Sequence, residues 1–221
     1  MNTVSLTFRH DKESLFRWAL GLALFTIVYN IVEGVVSVFF GIDDETIVLF
    51  GFGLDSFVEV ISGIGIWHMI ARFRRKGDSD LDRFEKRALR ITGTSFYILT
   101  SGLTVSALVN LVQGHAPETT FWGVVIAAVS IITMWLLFHY KVQVGRKLAS
   151  PAILSDANCT KTCMYLSVVL LISSAGYEMT GVGGLDSAGA LLIAWFAFKE
   201  GREAFEKTRH SGICNCSGRC P

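Results

Sequence analysis

The stretch TIVLFGFGLDSFVEVISGIGIWHMIA, residues 46–71, decides the fold. It is apolar over most of its length, holds two acids, Asp55 and Glu59, and runs directly into Arg72, Arg74, Arg75 and Lys76. A bilayer core of about 30 Å needs roughly 20 mostly apolar residues if crossed as a helix. This stretch is long enough and shows none of the period-two alternation of a barrel strand. It therefore predicts a helix that crosses the membrane and ends at a basic face. The whole chain agrees. Of its 221 residues 51% are hydrophobic and 18% charged, against about 25% charged in soluble chains, and the mean hydropathy is +0.47. Net charge is +1, so no overall basicity points to nucleic acid.

Working outward, five more runs fit a membrane helix: about Leu15–Gly41, Ile91–Val112 without a charge, Phe121–Phe138, Pro151–Tyr177, and a shorter one near Gly183–Phe198. Pro117 and Pro151 fall at run edges, where a missing N–H does least harm. The expected fold class is an all-α membrane protein with six transmembrane helices and both termini cytoplasmic. Basic residues concentrate in cytoplasmic loops, and this arrangement puts 19 of the 20 Lys and Arg inside. The outer connections, about 42–45, 113–120 and 178–182, carry instead Asp43, Asp44, Glu45, Glu118 and Glu178. The opening MNTVSLTFRHDKES is too polar for a signal peptide. The division is then a cytoplasmic N-terminus, 1–14, a six-helix transmembrane unit, 15–208, and a tail, 209–221, in a multi-pass protein of the cell membrane.

The remaining basic residue, Lys161, lies inside the fifth run with Asp156, Cys159 and Cys163. Ionisable side chains inside a span are costly and usually face the bundle interior or a water-filled path. Asp55 and Glu59 are i, i+4, and Asp156, Cys159 and Cys163 are i, i+3, i+7, so each set shares one helix face. Taken singly, each cysteine reads as a small buried hydrophobe. Carboxylates facing thiols make a divalent-cation site instead, tilted by thiolate toward zinc or cadmium and away from magnesium or calcium. The candidate ligands are Asp55, Glu59, Asp156, Cys159 and Cys163. Lys161 points to another side as a packing or ion-pair residue. Asn30 and Glu33 in the first run fit either helix bonding or a site.

These motifs resemble the cation diffusion facilitator family of metal/proton antiporters. The Leu54-Asp55-Ser56-Phe57-Val58-Glu59 stretch is similar to the family's second-span D-S-L-x-D-like motif. Ser155-Asp156-Ala157-Asn158-Cys159-Thr160-Lys161-Thr162-Cys163 is similar to its A-D-A-x-H-x-x-x-D, and Gly184-Leu185-Asp186-Ser187-Ala188 to its D-P-x-A-A-L. The resemblance covers about residues 15–208. It implies a homodimeric exporter of a divalent ion in exchange for protons, with the lipid bilayer as its setting and no prosthetic group. Cys159 and Cys163 stand where the family has His and Asp, which implies a softer cargo. The family's cytoplasmic metal-binding domain has no counterpart in the last residues, so the likeness is to a short branch lacking it.

The tail Cys214-Asn215-Cys216-Ser217-Gly218-Arg219-Cys220 reads either as incidental thiols or as an accessory soft-metal collector, kept reduced by the cytoplasm. The rival function is a non-transporting membrane metal-binding or accessory protein. An enzyme is disfavoured, since His68, His115 and His139 sit near run ends rather than beside a nucleophile.

Overall fold

In the computed structural model, residues 2–76, 83–114, 116–182 and 184–209 are described. They form six helices: α1 (Asn2–Asp43), α2 (Ile47–Lys76), α3 (Arg83–Gln113), α4 (Phe121–Leu148), α5 (Pro151–Thr180) and α6 (Gly184–Arg209). No strand occurs among the described residues. Five helices contain stretches long and apolar enough to cross a membrane: Glu13–Asp43, Ile47–Arg72, Lys86–Gln113, Phe121–Leu148 and Asp156–Thr180. The sixth, expected as a span, falls short of that measure. Its apolar run is bounded by Asp186 on one side and by Lys199, Glu200, Arg202 and Glu203 on the other. It is nonetheless packed into the bundle, with Ala190, Ile193, Ala194 and Ala197 all buried.

Surface and interior are inverted relative to a water-soluble protein. Val112 is 89% exposed and Ile98 69%, whereas Asn30, Asp55, Ser130 and Lys141 are each 3% exposed or less. Apolar side chains turned outward suit a lipid solvent, and polar ones turned inward are kept away from it.

The helices pack mainly as pairs, α1 with α2, α3 with α6 and α4 with α5. Lipid gives no hydrophobic drive between helices, so small residues that permit close approach decide the contacts. At Gly53 a Cβ would meet the Val38 backbone nitrogen at 2.8 Å and Ser37 Cβ at 2.9 Å, so α1 and α2 touch there through glycine alone. A Cβ on Gly93 would meet the Phe205 ring at 2.8 Å and the Gly201 carbonyl at 3.2 Å, which binds α3 to α6. Tyr97 stacks on Phe205 beside it, centroids 5.6 Å apart.

Turns and caps fix the register. Pro151 opens α5 after a reversal in which Ala149 takes a left-handed conformation and its N–H returns to the Arg146 carbonyl. Asp186, in the first turn of α6, accepts the opening amides of α2: Ile47 N–H at 3.0 Å and Val48 N–H at 3.3 Å. A carboxylate at a helix N-terminus meets both orphan donors and the positive end of the dipole. The family-like motif around Asp186 thus ties the same ends of α2 and α6 together. On that side as well, Glu178 accepts from the Thr119 hydroxyl at 2.7 Å and from the Thr120 amide, holding the start of α4 to the end of α5.

The largest apolar core joins α2, α3, α4, α5 and α6 around Leu49, Phe52, Leu103, Ala127, Leu170 and Ile193. A second, formed by Ala19, Met69, Ile70, Val144 and Ile153, closes the opposite end. Between them lies a small cluster of Met134, Leu137 and Cys163. It flanks the polar centre.

Candidate metal centre

Asp55 and Glu59 lie one turn apart on α2, and Cys159 and Cys163 one turn apart on α5. The two helices bring Glu59 and Cys163 together: the Cys163 thiol donates to Glu59 Oε1 at 2.6 Å. Cys163 Sγ also lies 3.2 Å from the Cys159 carbonyl, one turn back on its own helix. Neither cysteine is in a disulfide. Cys163 is buried and Cys159 half-buried.

The other Glu59 oxygen is taken by α1. Asn30 Nδ2 donates to Glu59 Oε2 at 3.0 Å. One turn further along α1, Glu33 accepts from the Tyr29 hydroxyl at 2.9 Å and from Ser56 Oγ of α2 at 3.1 Å. The two α1 residues that the sequence left open therefore belong to this polar centre, and Asn30 touches a candidate ligand directly. Glu33, 6% exposed, has both oxygens engaged by hydroxyls. The signal available in the sequence was their spacing, i and i+3 on one helix face.

Asp156 stands apart from this group. Its carboxylate pairs with Lys141 of α4, Nζ to Oδ1 3.0 Å, with side chains 8% and 1% exposed. Lys141 Nζ also donates to Thr160 Oγ1 at 2.8 Å. The sequence counts Lys141 as a flanking charge beyond a fourth span ending near Phe138. In the structure α4 continues to Leu148, and Lys141 is the largest fully buried side chain among the described residues. Buried ion pairs hold only when geometry and extra hydrogen bonds offset desolvation, and Thr160 supplies one. Lys161 lies on the exposed face of α5 with its ammonium 5.6 Å from the centre of the Tyr165 ring. His139 bonds back to the Trp135 carbonyl at 2.9 Å.

Among the described residues no three His, Cys, Asp or Glu side chains are placed together closely enough to hold a metal ion. Glu59 and Cys163 are in contact, with Asn30 bonded to the same carboxylate and Asp55 one turn away on α2. Glu59 gives a hard oxygen and Cys163 a soft sulfur, so the pair suits a borderline ion better than either magnesium or copper(I). Cys214, Cys216 and Cys220 lie outside the described residues.

Comparison with known proteins matches residues 22–211 to the family described as the cation efflux transmembrane domain. Among curated relatives, the manganese efflux system protein MneP of Bacillus subtilis is 22% identical over 189 residues, covering 80% of this chain and 63% of the relative. The uncharacterized transporter MJ0449 of Methanocaldococcus jannaschii is 27% identical over 182 residues, covering 79% of this chain and 64% of the relative. The chain thus spans a little under two thirds of the length of each.

Proposed function

This chain belongs to the cation efflux family, and we propose that it is a secondary transporter exporting a divalent soft or borderline metal ion, of the zinc and cadmium class, in exchange for protons. It is an integral, multi-pass membrane protein. The proposal places it in the cell membrane with both ends cytoplasmic and residues 15–208 as the transport unit, working as a homodimer. Asp55, Glu59, Cys159 and Cys163 hold the ion. Asp156, engaged by Lys141, anchors α5 to α4, and joins the ligands only by releasing that partner.

The observation that carries this reading is the Cys163–Glu59 contact, 2.6 Å long and set between apolar clusters midway through the bundle. A metal ion and a proton compete for those atoms. Thiolate and carboxylate ligate a metal only when deprotonated, so an ion arriving from the cytoplasm expels the shared proton. When the site opens outward, protons return to sulfur and oxygen and release the ion. Rocking between the two states couples the gradients, as in other secondary transporters. Cys214, Cys216 and Cys220 are assigned the collector role at the inner mouth.

A manganese cargo is the second reading. It is favoured by the efflux activity named for the Bacillus relative and by the oxygen-bearing side chains, Asn30, Asp55 and Glu59, grouped at the centre. The discriminating experiment replaces Cys159 with His and Cys163 with Asp, then measures competition between zinc and cadmium. Imidazole and carboxylate are harder donors, so cadmium should lose more affinity than zinc. An unchanged order of preference would remove the cysteines from the ligand set.

A further inference from the structure

Asn30 sits midway along the membrane part of α1 and is 2% exposed. Its Nδ2 donates to Glu59 Oε2 at 3.0 Å, which fixes how the carboxamide is turned. The two heteroatoms of a carboxamide are about 2.3 Å apart, so Asn30 Oδ1 lies within about 5 Å of Glu59 Oε2. That oxygen is buried and has no hydrogen-bond partner. Asp55 Oδ1, on the residue one turn from Glu59, is buried and without a partner as well. Asp55 is 3% exposed.

Buried polar atoms are nearly always hydrogen-bonded, and each exception calls for an explanation. Here there are two, both oxygens, one on a residue hydrogen-bonded to Glu59 and one on the residue a turn before it on α2, while the Glu59 carboxylate is itself fully engaged. The surrounding groups are already used: Glu33 by Tyr29 and Ser56, Glu59 by Asn30 and Cys163. Asn30 Oδ1 and Asp55 Oδ1 are therefore atoms a cation can meet without breaking a hydrogen bond, whereas Glu59 Oε1 must first give up the thiol.

We infer that Asn30 is a further ligand of the transported cation, its amide oxygen engaging the ion together with Asp55 before Glu59 and Cys163 exchange their contact for it. The inference rests on the export reading above and deepens it. An amide oxygen is a neutral, hard donor of the kind that suits manganese, magnesium and calcium. Supplied from α1, it moves a two-thiol site back toward the harder side of zinc. The cargo is then chosen by a balance: sulfur from α5 favours cadmium and zinc, oxygen from α1 and α2 favours zinc and manganese. Asn30 also links cargo to conformation, because an ion held by it bridges α1 to α2 and α5.

The test uses the full chain in lipid nanodiscs and titrates manganese, zinc and cadmium separately. Asn30→Leu keeps the branched shape and heavy-atom count and removes both heteroatoms; it should weaken manganese binding about tenfold or more, the scale seen when even outer-shell partners are lost, and cadmium binding much less. Asn30→Cys replaces the hard donor with a soft one. It should raise preference for cadmium over manganese and enlarge the ultraviolet thiolate-to-cadmium charge-transfer band. If Asn30→Leu does not fold, the band and preference of Asn30→Cys decide. Equal loss for all three ions with no added band in Asn30→Cys would mean that Asn30 merely orients Glu59, and would overturn the inference while leaving the export reading intact. A wild-type protein that binds none of the three ions would instead remove the export reading, and this ligand with it.

Discussion

Replacing Lys141 by Met should destabilise the protein by about 3–5 kcal/mol, the cost of stranding one member of a buried ion pair. The structure gives little room for a smaller figure. Lys141 is 1% exposed on its side chain and Asp156 8%, so water cannot take over the role of the missing ammonium. Thr160 loses the Lys141 donor as well, although its hydroxyl keeps a bond to the Asp156 carbonyl at 3.1 Å. Asp156→Leu should cost a similar amount, since it leaves the ammonium with Thr160 alone. The double replacement, Lys141→Met with Asp156→Leu, should return to near wild-type stability or exceed it, because an apolar pair of similar volume is often as good as the ion pair. The coupling, the near-zero double effect less the two single costs, should thus be about 6–10 kcal/mol in magnitude, more than ten-thousandfold in the unfolding equilibrium. Denaturant unfolding in mixed micelles, followed by tryptophan fluorescence, completes the cycle. Additive single effects would refute the reasoning. So would loss of metal binding in a stable double variant, which would return Asp156 to the ligand set that its spacing with Cys159 and Cys163 suggests.

Other consequences are as direct. Gly53→Val should cost about 1–3 kcal/mol by overpacking, since its Cβ would already sit 2.8 Å from the Val38 nitrogen, and should weaken metal binding by prising Asn30 from Glu59; unfolding and titration of one sample measure both. Burial, with Asp43, Glu118 and Glu178 nearby, raises the pKa of Asp44 in the loop after α1. A raised native pKa means the folded state holds a proton that the unfolded chain releases, so stability falls as pH climbs from the ordinary aspartate range, about 4, through the raised value. Asp44→Asn should flatten that part of a melting-temperature profile and be the more stable protein at neutral pH. A cysteine placed at Asp43 should react with an impermeant maleimide from outside intact cells; labelling only after lysis would reverse the orientation.

Much of the fold was legible because a bilayer imposes a length on every crossing helix, and charge-free stretches such as Ile91–Val112 announce it. Neighbour choice was not. A lipid-facing helix is apolar on nearly all sides, so periodicity does not say which face meets which partner. Lys141 shows the consequence: along the chain it resembles the flanking Arg146 and Lys147, and only the packing of α4 on α5 reveals its pairing with Asp156. Asp55, Glu59, Cys159 and Cys163 stood out because charges and thiols are conspicuous at membrane depth. Asn30 is neutral and common in bonding helices together, so its importance emerged from the direction of one amide toward Glu59. The sixth helix was legible in the right place, although its apolar run falls short of the length and hydropathy that the other five reach. Its alanines supply packing, while its second half carries the charges of a membrane boundary.

The central claim, that the Glu59–Cys163 pair exchanges a proton for a metal ion, is tested most directly by flux. The purified full chain is reconstituted into liposomes containing a zinc- or cadmium-sensitive dye and a pH-sensitive dye, with an imposed pH gradient. The account predicts metal flux that follows the gradient, reverses with it, and moves protons in the opposite direction, with both signals suppressed in Cys163→Ser and Glu59→Gln proteins that remain folded. Stoichiometric metal binding without turnover, or metal flux indifferent to the proton gradient, would contradict it.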